Sequence, residues 1–382
     1  MIDIRHKADC CGCEACVQVC PKKCINFSRD GQGFLYPVVD RVSCIDCGLC
    51  ERVCPILNQV ENTKFNESPL YAIKNRDDFI RKNSSSGGFF TSLANYVLEA
   101  NGVVYGAAYD ENFVLKHCRV RDKDNLHKLR GSKYLQSNIC DTFSECRNDL
   151  NEGRLVLFTG TPCQISALRL FLGKEYQNLI RVEVVCHGVP SPMIFKTYLS
   201  EILPLGSIVK SIQFRDKKES WKKYHFTTKY DYCGEENVYS ESVTESLYMK
   251  GFLSDMFIRP SCFKCPAKSF KSLPDFTIAD FWGQEYTFRD FDTDTGVSAV
   301  FVHTDNAYVI LSHLTDIIVE PRPFTDFIHY NPSLCNSAKL TYKNKRFWRN
   351  YVKSGKVSES VLIASKVPFY YRIIRKIINI LK

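Results

Sequence analysis

Residues 10–21 read CCGCEACVQVCP and residues 44–55 read CIDCGLCERVCP, and these two stretches decide how the chain begins to fold. Each contains the spacing C-x2-C-x2-C-x3-C followed by proline. This is the ligand pattern of a ferredoxin with two 4Fe–4S clusters, in which three thiolates of one run bind one cubane and the fourth binds the other. The sequence therefore predicts an N-terminal dicluster ferredoxin fold.

The pattern also predicts which thiols share a cluster. The first cluster would be held by Cys10, Cys13, Cys16 and Cys54, and the second by Cys44, Cys47, Cys50 and Cys20. Zinc knuckles and disulfides are the alternatives, but zinc sites usually pair C-x2-C knuckles rather than repeat a four-cysteine run. Gly12 and Gly48 would let the backbone pass close to inorganic sulfide. Cys11 and Cys24 remain as free thiols.

Composition restricts the class of protein. The chain has 382 residues, 45% of them hydrophobic and 24% charged, which is typical of two or three globular domains. Residues 1–9 show no signal peptide, no apolar run reaches the ~20 residues of a membrane helix, and the many thiols indicate a cytoplasmic location.

The net charge of +9 is dispersed. We therefore expect no nucleic-acid partner, and interpret the cluster at Lys217, Lys218, Lys222 and Lys223 as a solvated face or a docking site for an acidic protein.

After a polar linker, strands alternate with helices, which predicts a mixed α/β sheet with some parallel strands. The strand before Thr161-Pro162 leads into a helix whose second residue is Cys163, and the next strand ends at Cys186. Ligands bind where such strands end. Cys163 would also lie in a helical first turn, which lowers a thiol pKa.

Two further features suggest cofactor sites. Cys262 and Cys265 form a C-x2-C pair that could join Cys163 and Cys186 in a third 4Fe–4S site, although a zinc knuckle and simple buried cysteines remain alternatives. Residues 84–88 (SSSGG) precede a predicted helix. Such a helix start suits a dinucleotide phosphate, but it is also an ordinary helix cap.

These residues resemble the family of beta subunits of coenzyme F420 hydrogenases and dehydrogenases, in the bacterial form that carries a fused dicluster ferredoxin. The stretches that carry the resemblance are SSSGGFFTSLANYVLEANGVVYGAAYD, RGSKYLQS, LFTGTPCQISALRLFL, VVCHGVPSP, FRDKKESW, CFKCPAK and DFTIADFWG. The resemblance implies FAD and a third 4Fe–4S cluster, the latter on Cys163, Cys186, Cys262 and Cys265. It places the flavin on Ser85, Ser86, Gly87, Gly88, Gly131, Ser132, Lys133, Tyr134, Asp280 and Trp282. Lys133 is the candidate catalytic group, steadying negative charge on the flavin or its phosphates, with an exposed loop lysine as the alternative.

The expected domains are a ferredoxin at 1–60, the N-terminal part of a flavin-binding domain at 70–150, its C-terminal part with the third cluster at 151–335, and a basic amphipathic tail at 340–382. The tail could contact a membrane surface or pack on protein.

The resemblance implies an oxidoreductase in which clusters exchange electrons with FAD, and FAD exchanges hydride with a small molecule. That substrate could be coenzyme F420, another molecule reduced with ferredoxin, or a sugar-related acceptor. The alternative is an electron-transfer subunit that docks on a catalytic partner protein. His187 follows Cys186, a predicted cluster ligand, and would either support the third cluster or have only a structural role.

Overall fold

The structure is a computed structural model that describes residues 1–63, 65–291 and 294–366. Its strands are β1 (Ile25–Arg29), β2 (Leu35–Val39), β3 (Leu70–Asn75), β4 (Val103–Tyr109), β5 (Leu115–Val120), β6 (Val156–Gly160), β7 (Leu179–Val184), β8 (Ile208–Asp216), β9 (His225–Tyr232), β10 (Glu235–Ser242), β11 (Phe276–Asp280), β12 (Ser298–Val302) and β13 (Ile317–Arg322). Its helices are α1 (Ala15–Gln18), α2 (Leu49–Arg52), α3 (Asp78–Lys82), α4 (Phe89–Glu99), α5 (Thr142–Asn151), α6 (Pro162–Leu172), α7 (Pro192–Ile202), α8 (Leu247–Leu253), α9 (Gln284–Thr287), α10 (Asp305–His313), α11 (Thr325–Ile328), α12 (Tyr342–Ser354) and α13 (Val357–Ser365). Within these described ranges, no helix is long and apolar enough to cross a membrane.

The N-terminal unit is built from a duplicated turn. In each cysteine run a short helix, α1 or α2, starts directly after a residue in the left-handed conformation, Glu14 at φ 62° and Gly48 at φ 72°. The antiparallel hairpin of β1 and β2 lies between the two runs. The same cysteine spacing therefore produces the same local turn twice, and the unit is ferredoxin-like.

The larger unit is organised around an eight-stranded sheet of order β13-β3-β12-β11-β7-β6-β4-β5. The four strands β11, β7, β6 and β4 are mutually parallel, and the strands on both sides of this block are antiparallel. This confirms the expected mixed α/β sheet. Because the central strands are parallel, the loops after β6, β7 and β11 meet at one edge.

Helix α6 shows why Cys163 lies at that edge. Pro162 begins the helix and Thr161 caps it in a capping box with Gln164. Both features are typical of a helix start. Cys163 is therefore fixed one residue into the helix, directly after β6.

Residues 342–365 are not a separate tail. Helices α12 and α13 pack into the core around the three-stranded sheet β10-β9-β8, where Phe347, Val357 and Val361 are fully buried. Apolar burial of this kind stabilises each side chain by roughly 1.5–3 kcal/mol. The amphipathic stretch predicted near the C-terminus, residues 370–382, lies outside the described residues.

The ferredoxin unit is docked on the larger unit through polar contacts to a helix start. The carboxylate of Glu14 accepts from the Cys140 N–H at 2.9 Å. The side chain of Gln18 accepts from the N–H groups of Phe143 at 3.1 Å and Ser144 at 3.2 Å. These donors lie at the start of α5, where backbone N–H groups have no partner within the helix. The orientation of the two units is therefore fixed by specific hydrogen bonds.

Candidate metal centres and the adjoining cavity

The first predicted cysteine set lies where the ferredoxin unit meets the larger unit. Burial raises the pKa of the Cys16 thiol, and the nearby thiols of Cys10, Cys54 and Cys50 raise it further. A hydrogen bond with Cys11 lowers the pKa of Cys13, but burial and the charges of Cys16 and Cys54 outweigh it and raise that pKa. The thiols of Cys10, Cys13, Cys16 and Cys54 therefore lie close enough to interact electrostatically.

The second predicted set lies nearer the surface of the ferredoxin unit. Cys20, Cys44, Cys47 and Cys50 line one small cavity, and Cys47 is exposed. Cys24 also lines it, with its Sγ 3.4 Å from Cys20 Sγ. The sequence left Cys24 as a free thiol, and the structure places that thiol directly beside the second set.

The third predicted set comes together from three segments. Burial is the main cause that raises the pKa of Cys262, followed by the charges of Cys186, Cys265 and Cys163. Burial likewise raises the pKa of Cys186 to about 12. The expectation that the helix start lowers the pKa of Cys163 is wrong for the free thiol, because a hydrogen bond with Cys11 and burial raise it. Cys11, buried between the first and third sets, is the neighbour that the sequence did not reveal.

The spacing within the sets bears on which metal they suit. Among residues 1–63, 65–291 and 294–366, no group of three or more His, Cys, Asp or Glu side chains is arranged to hold one metal ion. A structural zinc ion needs four donors about 2.0–2.3 Å from a single point. In a cubane each thiolate binds a different iron, so the thiols stay farther apart. The four thiols of each set are donors that both zinc and iron–sulfur clusters accept, and the repeated C-x2-C-x2-C-x3-C spacing of the two ferredoxin runs is the iron–sulfur pattern.

A cavity of about 710 Å³ adjoins the third set at the carboxyl edge of the parallel strands. Its wall includes Gly160 at the end of β6 and Thr161 after it, the segment from Cys186 to Gly188 after β7, and Asp280 at the end of β11. The lining cations are Arg130, Lys133, Arg215 and Lys222, and Asp280 is the only carboxylate among the described lining residues. The cavity therefore favours an anionic ligand.

Sequence models of known families match most of this chain. A model for the C terminus of the coenzyme F420 hydrogenase/dehydrogenase beta subunit matches residues 153–323, and the corresponding N-terminal model matches residues 70–143. The chain belongs to this family. A 4Fe–4S dicluster domain matches residues 9–57, so the F420 beta-subunit region follows an iron–sulfur ferredoxin domain.

Individual relatives are more distant. One subunit of the F(420)H(2) dehydrogenase of Methanosarcina mazei is 23% identical over 189 residues, which are 47% of this chain and 53% of that protein. "Ferredoxin 7Fe" of Hydrogenibacillus schlegelii is 43% identical over 67 residues, 17% of this chain and 78% of the ferredoxin. The alignment thus spans about half the length of the dehydrogenase protein. A chain of the F420-reducing [NiFe] hydrogenase complex from Methanosarcina barkeri, a xenon-derivatised structure, superimposes with a TM-score of 0.47 and 20% identity, covering 69% of this chain and 85% of that one.

Most residues predicted to contact flavin line the cavity of this F420 beta-subunit homologue. Those that do are Ser85, Ser86, Gly88, Gly131, Ser132, Lys133, Tyr134, Asp280 and Trp282. Gly87 is different. A Cβ there would lie 2.6 Å from the backbone nitrogen of Ser298, so Gly87 permits the loop to pack against the sheet and does not line the cavity.

Lys133 has a local role in this structure. Its Nζ donates to the carbonyls of Leu129, Arg130 and Gly131 at 3.2, 2.9 and 3.2 Å. Burial lowers its pKa to about 8. The ammonium group therefore holds its own loop closed, and its predicted contact with flavin stays a prediction.

Arg215 is the cavity residue that the sequence reasoning missed. Its guanidinium lies 2.6 Å from Asp280, 3.3 Å from the hydroxyl of Tyr134 and 3.3 Å from the carbonyl of Ser85. It thus joins three predicted flavin segments. Burial opposes its charge, but the net effect of Asp280, Tyr134 and Tyr224 raises its pKa. Its Nε has no hydrogen-bond partner among the described residues. Arg215 lies in the quoted stretch FRDKKESW, which was the available signal.

The aromatic wall near Arg215 explains the placement of Trp282. The ring of Trp282 stacks on Trp221 with centroids 4.7 Å apart, and Trp221 Nε1 donates to Asp280 at 3.3 Å. The guanidinium of Arg215 lies 5.0 Å from the Trp282 ring. This geometry holds Asp280 and Arg215 in place at the cavity wall.

The interpretation of the lysine cluster as a solvated face is wrong for Lys217. Lys217 is buried, and its Nζ donates to the carbonyls of Arg81, Ser86 and Thr295 at 2.8, 2.8 and 2.6 Å. Lys222 lines the cavity. Both lysines lie in the segment between β8 and β9, and composition alone does not show the path of that segment.

His187 also lines the cavity, next to Cys186. Its Nε2 lies 2.7 Å from a carboxylate oxygen of Asp255, and its ring meets Phe252 edge to face at 5.2 Å. The residue is held by protein groups on two sides, which fits a supporting role beside the third cysteine set.

Proposed function

We propose that this chain is an iron–sulfur flavoprotein oxidoreductase with three 4Fe–4S clusters and an FAD in the 710 Å³ cavity. The observation that carries the proposal is the spatial order of the sites. The exposed second set is followed by the first set, then by the third set, and then by the cavity. A route of this kind leads electrons from the surface to a buried ligand.

Each neighbouring pair of sites is supported by a contact. The thiol of Cys50, from the second set, acts electrostatically on Cys16 and Cys54 of the first. Cys11, within the first run, hydrogen-bonds with Cys163 of the third. Cys186 of the third set itself lines the cavity.

The cavity supports the choice of ligand. A dinucleotide carries a negatively charged pyrophosphate, which basic side chains and backbone N–H groups bind. Arg130, Arg215 and Lys222 supply positive charge there, and α4 begins at Phe89 beside it, directly after its N-cap residue Gly88. A bound flavin would supply two-electron exchange with an organic substrate and one-electron exchange with a cluster. The protein's part is to hold it against Cys186 and exclude water.

A second candidate function is an electron-transfer subunit that turns over only with a catalytic partner protein. It is favoured by the matched relative from Methanosarcina mazei, which is described as one subunit of a dehydrogenase. An anaerobic assay separates the two functions. Isolated protein that oxidises dithionite with coenzyme F420 or another small acceptor supports the oxidoreductase, and turnover only after addition of a partner supports the electron-transfer role.

The flavin site is tested with the neighbouring lysines 222 and 223. Lys222 lines the cavity and Lys223 is exposed outside it. We expect Lys222→Met to weaken FAD binding about tenfold, since a hydrogen bond to a charged group contributes about 1.5–3 kcal/mol. Lys223→Met, which removes the same charge, should bind FAD as the wild type does. The measurement is FAD titration of anaerobically purified protein. Wild-type protein that binds no FAD, or equal affinity of both variants, would contradict the proposed site.

A further inference from the structure

Arg259 is a fully buried cation at the junction between the ferredoxin and the F420 beta-subunit region. It is 0% exposed. Its Nε donates to the Cys10 carbonyl at 2.7 Å, and its Nη2 donates to the Leu35 carbonyl at 2.9 Å. Its Nη1 donates to the Gln136 side-chain oxygen at 3.0 Å. One guanidinium therefore joins both cysteine-bearing parts of the protein.

The groups that hold Arg259 by hydrogen bonds include a predicted cluster ligand. Nη2 lies 3.4 Å from Cys10 Sγ, and the guanidinium carbon lies 4.4 Å from the ring centroid of Tyr36. The carbonyls, the amide and the ring carry no formal charge. A buried cation needs a nearby negative charge. The buried carboxyl of Glu14 interacts electrostatically with Arg259, and the thiolates of an iron–sulfur cluster at Cys10 would supply further negative charge.

The neighbourhood also fixes the position of this cation. Gln136 Nε2 donates to the carbonyls of Cys11 at 3.0 Å and Gly12 at 3.3 Å. A Cβ at Gly12 would lie 2.7 Å from Arg259 Nη1, and Gly12 has a positive φ of 70°. Only glycine fits there without displacing the guanidinium. The cysteine loop is thus shaped around Arg259.

We propose that Arg259 is a positioning residue that raises the reduction potential of the ferredoxin cluster bound through Cys10. Cluster potentials depend on net charge, hydrogen bonds to sulfur and solvent exposure. Arg259 adds a positive charge and an N–H···S hydrogen bond, which both favour the cluster that has gained one electron. The exposed cluster of Cys47 lacks this cation. Arg259 would therefore favour electron transfer from the exposed cluster inward to the Cys10 cluster, and no proton or other reactant is needed for that step.

This inference depends on the proposed function only for the ligation of one cluster by Cys10. The dicluster ferredoxin alone is sufficient for it, and neither FAD nor the third cluster is required. The test is therefore made in the full chain and repeated with Cys163→Ser. The Cys163→Ser variant keeps the cysteines of both ferredoxin clusters, so the effect of Arg259 can be measured even if the third set binds no iron.

The experiment compares Arg259→Gln and Arg259→Lys with Arg29→Gln. Arg29 is the matched control, since it donates to the Gly33 carbonyl at 2.7 Å within the ferredoxin hairpin. The readouts are iron content and the reduction potential of each cluster, from an anaerobic titration followed by EPR. For Arg259→Gln we expect a tenfold shift toward the oxidised form in one ferredoxin cluster, which is about 59 mV for one electron. Arg259→Lys keeps the positive charge, so it should shift the ratio of oxidised to reduced cluster by only about threefold.

Several results would overturn the inference. Unchanged potentials in Arg259→Gln with full iron content would do so, as would equal shifts in both ferredoxin clusters or in the Arg29 control. If Arg259→Gln fails to retain iron, Arg259→Lys decides. A threefold shift confined to one cluster then supports the inference, and an unchanged potential contradicts it.

Discussion

Replacing Cys163 with serine tests the third cysteine set most directly. With three cubanes the protein should hold about twelve iron atoms per chain, and with the ferredoxin alone about eight. Cys163 is one of the four thiols that meet beside the cavity, so its loss should release about four iron atoms. The first and second sets lie in the ferredoxin unit and should keep theirs.

The structure shows one reason why this variant could mislead. Cys11 hydrogen-bonds with Cys163, and it could replace the missing ligand. The decisive variant therefore combines Cys163→Ser with Cys11→Ala. Cys118→Ser, in β5 and outside the three sets, is the control for loss of a half-buried thiol.

The assay is iron and sulfide determination on protein reconstituted without oxygen, with EPR to count reduced clusters. We expect about twelve iron atoms in wild type and Cys118→Ser, and about eight in the double variant. Wild-type protein that saturates near eight, or a double variant that still holds twelve, would refute the third cluster.

Two further predictions concern buried groups. Burial raises the pKa of Glu183 from 4.5 to about 7. The folded state therefore keeps a proton that the unfolded state has lost, so stability should fall as pH rises from about 4.5 to 7, by about 3 kcal/mol in all. Glu183→Gln should abolish this fall of stability with pH, measured by anaerobic thermal melting, whereas the exposed control Glu111→Gln should keep it. Identical stability–pH profiles for wild type and Glu183→Gln would disprove the assignment. Gly87→Leu should destabilise the fold by roughly 1–3 kcal/mol through overpacking and empty the flavin site. Gly31→Leu has open space and should do neither; full flavin retention in folded Gly87→Leu would count against the placement.

Local features were predictable because they depend on neighbouring residues. The helix start at Thr161-Pro162 and the repeated turn of the ferredoxin follow from capping residues and cysteine spacing. The mixed sheet followed from the alternation of strands and helices. Ligands bind at the carboxyl ends of parallel strands, so this edge was predictable as the ligand side once the central strands were expected to be parallel.

Long-range contacts were not predictable in the same way. The sequence predicts a solvated position or a docking role for Lys217 and assigns no role to Arg215, yet the chain at and just after β8 places both inside. Arg259 and Cys11 gave no signal, because their partners lie in segments far away in the sequence. Which buried charge meets which thiol depends on how the ferredoxin docks.

By itself the sequence determined the chemistry of the ligands: two ferredoxin runs, two lone cysteines after strands and one C-x2-C pair. These follow from covalent spacing, which survives in any tertiary arrangement. Only the tertiary structure decided the order of the sites, with Cys47 at the surface, Cys11 between two sets and Cys186 at the cavity. The physical reason is that this order is set by hydrogen bonds and packing between units, such as those of Glu14, Gln18 and Arg259, and no short stretch of sequence contains both partners.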